Sequence, residues 1–439
     1  MTEFNPIREL PDLAGYGSGD VLVVFGEVFG RGYVNGLIDA AEQVGMKVVY
    51  GTVGRRNPDG TLRGLTDEEI AEKGHGPIIN VPLEAGFTNS EPGTSETLAD
   101  VLGAVGKDWA NAKLDFEHIE VLRSIGEQRF RKNVTLFMEE LRNHVPEGAN
   151  LLFAHTMAGG IPTSKQLLVV TNRIFKGTGA RGQSSQEFWE SDLGKVCEIS
   201  FEEVSARTLG HLIDLSDGFR DGVTNAGGRV SYVAYGYHGT ECLIGGKYRW
   251  QTYAPYLQGF AKIHLEQIAA EAHGRGINVG VFNAPEILTN SSGVFVGVEL
   301  PLYRLFDALE QEPTSEALAP AVREVCAAKL KGGEEGLAEV KSILRDYHRA
   351  PEVEFIYEFD GWPPHNRPEQ MDLMVGSAMA LRKLHVNEKD LMTLDLSRLV
   401  FSACGHVMLH KSWDLDAPVY WVGHDIVAKA LGRTGLPEE

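Results

Sequence analysis

The chain is 439 residues long, 43% apolar and 23% charged, a balance that fits a folded soluble protein and excludes disordered, collagenous and membrane-spanning classes. Its 41 basic and 61 acidic residues leave a formal charge of −20. Such a surface repels phosphate backbones and anionic membranes, so neither nucleic acid nor a membrane is an expected partner. No apolar run approaches the ~20 residues of a membrane helix. The start, Met1 to Gly19, lacks the basic patch and apolar stretch of a signal peptide, which points to a cytoplasmic location. The cysteines Cys197, Cys242, Cys326 and Cys404 are scattered without a C-x-x-C pair and read as reduced, buried thiols.

In chain order, Val21–Phe25, Lys47–Val53, Ile78–Leu83, Leu151–His155, Val230–Gly236 and Asn278–Asn283 each have the continuous apolar character of a strand buried on both faces. Asn35–Val44, Phe116–His144 and Pro255–His273, lying between them, carry helical periodicity. This alternation predicts βαβ units and an α/β fold, a Rossmann-type doubly wound parallel sheet. Gln311–Pro320, with two prolines among polar residues, reads as a boundary between a core, residues 1–310, and a mostly helical C-terminal extension, residues 311–439, packed on the core with no role assigned. Within the extension, Ala317–His348 reads as helix interrupted at Gly332–Gly333, Glu352–Phe359 as a strand, and Asp360–Pro368 as a turn-rich loop.

The first strand runs into Gly26-Glu-Val-Phe-Gly30-Arg-Gly32-Tyr33 and then a helix. Glycines are needed at such a crossing where the backbone turns tightly and approaches a pyrophosphate seated on the helix N-terminus. The strand before, the helix after and a second strand further on are the context of a dinucleotide site. The competing reading is a glycine-rich turn in a flavodoxin-like sheet without a dinucleotide. The second strand ends in Thr52-Val-Gly-Arg55-Arg56, without the acid that would hold the ribose 2′-hydroxyl of NAD. Two arginines there suit a 2′-phosphate, so NADPH is expected ahead of NADH, the alternative being a solvated basic turn.

The richest stretch is Ser231–Thr289. It holds Tyr235-Gly-Tyr237-His-Gly-Thr-Glu241, then Tyr253-Ala-Pro-Tyr256-Leu-Gln-Gly-Phe-Ala-Lys262, a helix, a strand, and Ala284-Pro-Glu-Ile287-Leu-Thr289. In the order of Tyr237-His-Gly-Thr-Glu241, Gly259-Phe-Ala-Lys262 and Ile287-Leu-Thr289 the chain resembles the enoyl-acyl-carrier-protein reductases of the short-chain dehydrogenase/reductase superfamily. The Tyr253-x8-Lys262 spacing and the stretches from Thr289 and Leu300-Pro-Leu-Tyr303 look like the FabV-type members, and the FabMG-type group is a further resemblance. Phe153-Ala-His155-Thr156-Met157-Ala158 is similar to the family's fourth-strand segment, whose backbone lines the cofactor. The resemblance spans residues 20–310. Cys242 to Gln251 stands as an insertion, and the extension matches nothing in the pattern.

The resemblance implies NAD(P)H-dependent reduction of trans-2-enoyl thioesters in fatty-acid synthesis, carried on acyl carrier protein or CoA, with no metal. It implies Tyr253, Lys262 and Tyr237 as catalytic residues. The cofactor contacts it implies are Gly26, Gly30, Gly32, Tyr33, Arg55, Arg56, Thr156, Met157, Ala158, Lys262, Ile287 and Thr289. Such a reduction gathers negative charge on the thioester oxygen. A tyrosine hydroxyl aimed there stabilises it, and a nearby ammonium holds the nicotinamide ribose and favours the tyrosine as donor. Residues nine apart point to opposite sides of one continuous helix, so Tyr253 and Lys262 converge if Pro255 takes the first helical position and leaves Tyr253 on the incoming loop. Tyr256 is the rival, and Tyr237, at the carboxyl end of its strand, is the second candidate.

His406, His410 and His424 lack the Glu of a zincin pattern. Arg123, Arg129, Arg131 and Lys132, or Arg173, Lys176 and Arg181, would give an acidic carrier protein a local basic dock, or else are simply solvated. A 3-ketoacyl or carbonyl reductase is the enzymatic alternative, disfavoured because Gln258 stands four before Lys262 where that chemistry uses Tyr. A non-catalytic dinucleotide-binding sensor or assembly protein is the other. A homo-oligomer is compatible with either.

Overall fold

Continuous apolar runs too short for helices pair side by side, which leaves both of their faces to be covered. Eight of them form one parallel sheet: β1 (Pro6–Ile7), β2 (Val21–Phe25), β3 (Lys47–Thr52), β6 (Ile78–Pro82), β7 (Leu151–His155), β8 (Val230–Tyr235), β11 (Val279–Asn283) and β12 (Val419–Val422). Two antiparallel hairpins stand apart from it, β4 (Arg55–Arg56) with β5 (Leu62–Arg63), and β9 (Thr240–Ile244) with β10 (Lys247–Gln251). The computed structural model describes the chain except residues 1–2, 75, 88–95, 104, 106–108, 160–184, 245–246, 252–256, 291–295, 358–366 and 438–439.

The spatial order is β1-β12-β11-β8-β7-β2-β3-β6, so the winding reverses between β2 and β7. The fold is an α/β Rossmann-type doubly wound sheet with helices on both faces. Along β2 the side chains alternate. Leu22 and Val24 join one core layer with Leu37 of helix α1 (Tyr33–Gln43) and Val400 of helix Met392–Lys411. Val21, Val23 and Phe25 join the other with Phe137, Leu212 and Leu265 from helices Phe116–Leu141, Thr208–Leu215 and Leu257–Gly274. A side chain on Gly36 would strike the Phe401 carbonyl, and one on Gly405 the backbone of Gly36, so the two glycines let α1 and helix Met392–Lys411 touch backbone to backbone.

Two strands of the central sheet, like both hairpins, have no counterpart in the sequence reading. β1 is two residues long, and β12 is a four-residue apolar run too short for its period to separate strand from helix. β12 pairs with both β11 and β1, so the sheet draws strands from both sides of Gln311–Pro320. The strand expected at Glu352–Phe359 is a 3₁₀ helix, Pro351–Ile356, instead. Its buried Val353 and Ile356 recur at the three-residue period, and Pro351 presets the first turn. The expected helical stretch is two helices, Ala319–Ala328 and Glu334–Arg349, separated at Gly332 and Gly333, whose φ values of 79° and 59° favour glycine. All four cysteines are free and buried. No described helix is long and apolar enough to cross a membrane.

Candidate active site

The reversal in strand order opens a crevice at the carboxyl ends of β2, β7 and β8, where ligands of open α/β sheets bind. One pocket there is lined by Gly32, Tyr33, Thr156, Met157, Ala158, Tyr237, Lys262 and Thr289, all picked out by sequence, together with Glu27, Phe29, Arg31, Val34, His155 and Tyr235.

The glycine turn forms its floor. Gly26 has φ 132°, and a side chain on it would collide with the Thr156 hydroxyl. Both the amide and the hydroxyl of Thr156 donate to the Phe25 carbonyl, at 3.0 and 3.1 Å, which locks β2 to β7 at this point. Around Gly30 and Gly32 a Cβ would meet nothing within 4 Å. Gly32 is the N-cap of α1, with no side-chain cap and no acid in the first turn, so the helix presents bare amides and its positive end. The Asn290 side-chain oxygen accepts from the Arg31 amide at 2.9 Å and ties the turn to the segment after β11. Tyr33 stacks on Tyr235 with centroids 5.8 Å apart and donates to the Pro285 carbonyl.

The wall opposite is built around Lys262, which is 1% exposed. Its ammonium has one hydrogen-bond acceptor among the described residues, the Met157 carbonyl at a long 3.4 Å, and stands 5.5 Å from the Tyr237 ring centroid. Burial pushes Lys262 down to about 7. Burial, and then the charge of Glu286, push the Tyr237 phenol up to about 12, so it keeps its proton at neutral pH. The Tyr235 hydroxyl is buried with no partner among the described residues.

His155 is fixed from below. Its Nε2 lies 2.8 Å from the Thr208 hydroxyl, which itself donates to the Val204 carbonyl at 2.7 Å. With that proton committed, Thr208 accepts from Nε2–H, and this network assigns a bare lone pair to Nδ1, which is buried without a partner among the described residues. Burial, and then the Lys262 charge, hold the ring well below its usual range, hence neutral. The π-helical turn Glu203–Arg207 precedes Thr208, and its Ser205 hydroxyl donates to the Gly159 carbonyl at 2.7 Å, pinning the chain beyond β7.

The pocket's acid is Glu27, 5% exposed. Its carboxylate accepts from both terminal nitrogens of Arg55 at 2.9 and 3.1 Å, from Thr52 at 3.1 Å, from the Val53 amide at 3.2 Å and from Lys73. Burial raises its pKa, but hydrogen bonds from Arg55 and Lys73 outweigh that and hold it at about 2. Arg56 pairs with Glu84 and donates to the Gly60 carbonyl at 2.7 Å. The two arginines expected at a 2′-phosphate are thus both engaged within the protein.

The remaining sequence candidates fall elsewhere. Gly30 lines the neighbouring groove outside the turn, and Ile287 is a 3% exposed core residue. Glu241, part of the motif after Tyr237, pairs with Arg8 at 2.6 Å. Tyr253 and Tyr256, and the basic set Arg173, Lys176 and Arg181, lie outside the described residues. Arg123, by contrast, is taken up by Glu120, Glu127 and Glu203, Arg129 lies against Glu84, and Arg131 donates to His211, so these three form an internal network, while Lys132 of the same set is exposed. Glu127, Glu203 and His211 come within ligating distance of one another, but the guanidiniums of Arg123 and Arg207 already pair with both carboxylates. The side chain of Glu27 was missed by sequence reasoning, which read the His155 segment as lining the cofactor with its backbone and gave Tyr235 no role. The weak available signal was their position at or just past strand ends in the expected crevice.

A family model described as enoyl-acyl carrier protein reductase FabMG matches residues 3–431. Two solved structures resemble the chain over its whole length. One is an apo structure of FabMG, a novel type of enoyl-acyl carrier protein reductase, at 45% identity, TM-score 0.94 and full coverage of both chains. The other is an NADH-bound FabMG structure at 38% identity and TM-score 0.77, covering 99% of this chain and 100% of that one. No curated protein matches.

Proposed function

We infer from its membership of the FabMG enoyl-acyl carrier protein reductase family, to which the chain belongs, that its NAD(P)H-dependent reduction of enoyl thioesters in fatty-acid synthesis takes place in the pocket around Lys262 and Tyr237. The observation that carries this reading is Lys262 itself: a 1% exposed ammonium with a single long acceptor among the described residues, beside a phenol, at the mouth of the sheet's switch point. An unsatisfied buried cation of this kind is costly in a purely structural role.

The residues present fit a nicotinamide dinucleotide. The space beside Gly30 and Gly32 and the uncapped start of α1 suit a pyrophosphate, and the free hydrogens of Lys262 suit a ribose. When bound, the dinucleotide supplies the hydride that the β-carbon of the enoyl group takes up. Tyr237 donates a hydrogen bond to the thioester oxygen, where charge collects. A preorganised donor of this kind lowers the barrier by about 3–4 kcal/mol. Lys262 would hold the ribose and, in its charged form, favour donation by the phenol. His155 stays neutral and is held in place by Thr208. Tyr33 and Tyr235, stacked on each other, shield the pocket from water.

NADH is the preferred form in this reading, because Arg55 and Arg56 are spent on Glu27 and Glu84; the relative solved with a dinucleotide carries NADH. The test is loss of the reduced-nicotinamide absorbance with crotonyl or acetoacetyl thioester as acceptor and NADH or NADPH as donor. The reading expects turnover with the crotonyl substrate and a higher kcat/KM for NADH. Turnover with the keto substrate alone would overturn it, and a preference for NADPH would overturn the cofactor assignment.

A further inference from the structure

We propose that a basic cleft between hairpin β9–β10 and the C-terminal helices is where the acidic face of the thioester's carrier protein docks. This rests on the enoyl reductase reading above. The cleft has a volume of about 650 Å³ and gathers Lys247, Arg249, Arg304, Lys341, Arg345 and Arg349, against the carboxylates of Asp307 and Glu354. In a chain of net charge −20, such a concentration of cations is a local inversion of the molecule's field.

Only part of that charge is satisfied internally. Arg304 donates to Asp307 at 2.7 Å, and Lys341 is held by Glu310 at 2.8 Å. Arg249 packs over the Tyr357 ring at 5.5 Å. Lys247 and Arg349 are exposed and make no ion pair among the described residues, and Arg345 is half-exposed, donating to the Ser342 hydroxyl at 2.8 Å with Asp346 at 3.8 Å as its one carboxylate among the described residues. Exposed cations of this kind steer an acidic partner and set its register. A chain of net charge −20 repels that partner on the whole, so a basic patch of this kind favours docking at the cleft.

The cleft stands on the same edge of the sheet as the pocket. Hairpin β9–β10 follows the carboxyl end of β8, and Cys242 at its base lies 2.9 Å from Nδ1 of His424, which opens the helix following the carboxyl end of β12. From β7, beside the pocket, to β12 is three strand spacings, about 14 Å. A flexible thioester arm spans that distance, so a carrier seated on the cleft can present its acyl group to Tyr237. The hairpin and the extension are the two parts of the chain that the short-chain reductase pattern leaves unmatched, and they build this cleft together.

The experiment compares kcat/KM of the wild type and the double variant Arg345→Glu/Arg349→Glu on three crotonyl substrates: the acyl-carrier-protein thioester, the CoA thioester and the N-acetylcysteamine thioester. We expect a loss of about tenfold or more at low salt for the carrier-protein substrate, fading as ionic strength rises, with the N-acetylcysteamine substrate unchanged. The small thioester also reports that the variant is folded. Equal losses on all three substrates, or none on any, would overturn the proposal. A loss of the same size with CoA would overturn it too, since the cleft would then be reading phosphates and not a protein face. If the wild type reduced no enoyl thioester, the reading beneath the proposal would fail instead.

Discussion

Replacing Lys262 by Met keeps the length of the side chain and removes its charge. Burial takes this group from 10.5 in the unfolded chain to about 7 in the fold. At about 1.4 kcal/mol for each tenfold change, that corresponds to a burial cost of about 5 kcal/mol at the most. The lost hydrogen bond to the Met157 carbonyl returns about 1 kcal/mol, leaving a net stabilisation of about 3–4 kcal/mol for Lys262→Met in the cofactor-free protein near neutral pH. The sign follows from proton binding: between pH 7 and 10.5 the unfolded chain holds a proton that the folded chain does not. The cost is therefore absent above pH 10.5, grows as the pH falls, and is complete below about 7. Urea midpoints of wild type and variant at neutral pH and near pH 10.5 measure it, and the variant's advantage shrinks at the higher pH. The same variant should lose turnover about 100-fold or more, because the proposed function gives Lys262 the ribose and the support of the phenol. A variant no more stable than the wild type at neutral pH, or an advantage that does not shrink with rising pH, would refute the reasoning.

Gly26→Ala forces a side chain into the Thr156 hydroxyl at a φ of 132°; thermal melting should show a loss of about 2–4 kcal/mol, with weaker NADH binding by fluorescence titration, and a wild-type melting curve would speak against the turn geometry. Glu27→Gln releases Arg55 and Lys73 beside the pocket. The kcat/KM ratio of NADPH to NADH should rise about tenfold, and an unchanged ratio would show that the ion pair does not govern cofactor choice. Glu27 lies at about 2 in the fold against 4.5 unfolded, so it contributes stability above pH 4.5 that is lost as the pH falls through 2. Arg55→Gln lets that carboxyl rise, and the acid-unfolding midpoint should move to higher pH; an unmoved midpoint would contradict the pairing.

The central sheet was legible because parallel strands are buried on both faces, and Val21–Phe25 or Leu151–His155 can hardly be anything else once Gly26 and the following helix are seen. The glycine turn and Lys262 were legible because their spacing is local. β12 was not, because its four residues become a strand only by pairing with β11 and β1, partners more than a hundred residues away. The expected role of Arg55 and Arg56 depended on knowing that Glu27 and Glu84 reach them, from 28 residues away in each case. His155 reads as an apolar strand's last residue until Thr208 is found beneath it, and Thr208 follows a π-turn that no periodicity announces.

The most direct test of the active-site assignment is turnover of crotonyl thioester by Tyr237→Phe and Tyr253→Phe, each with its NADH dissociation constant. The account predicts that Tyr237→Phe binds NADH as the wild type does while kcat falls about 100-fold or more, the loss expected for one preorganised donor. Wild-type kcat in Tyr237→Phe, with the loss appearing in Tyr253→Phe, would contradict it.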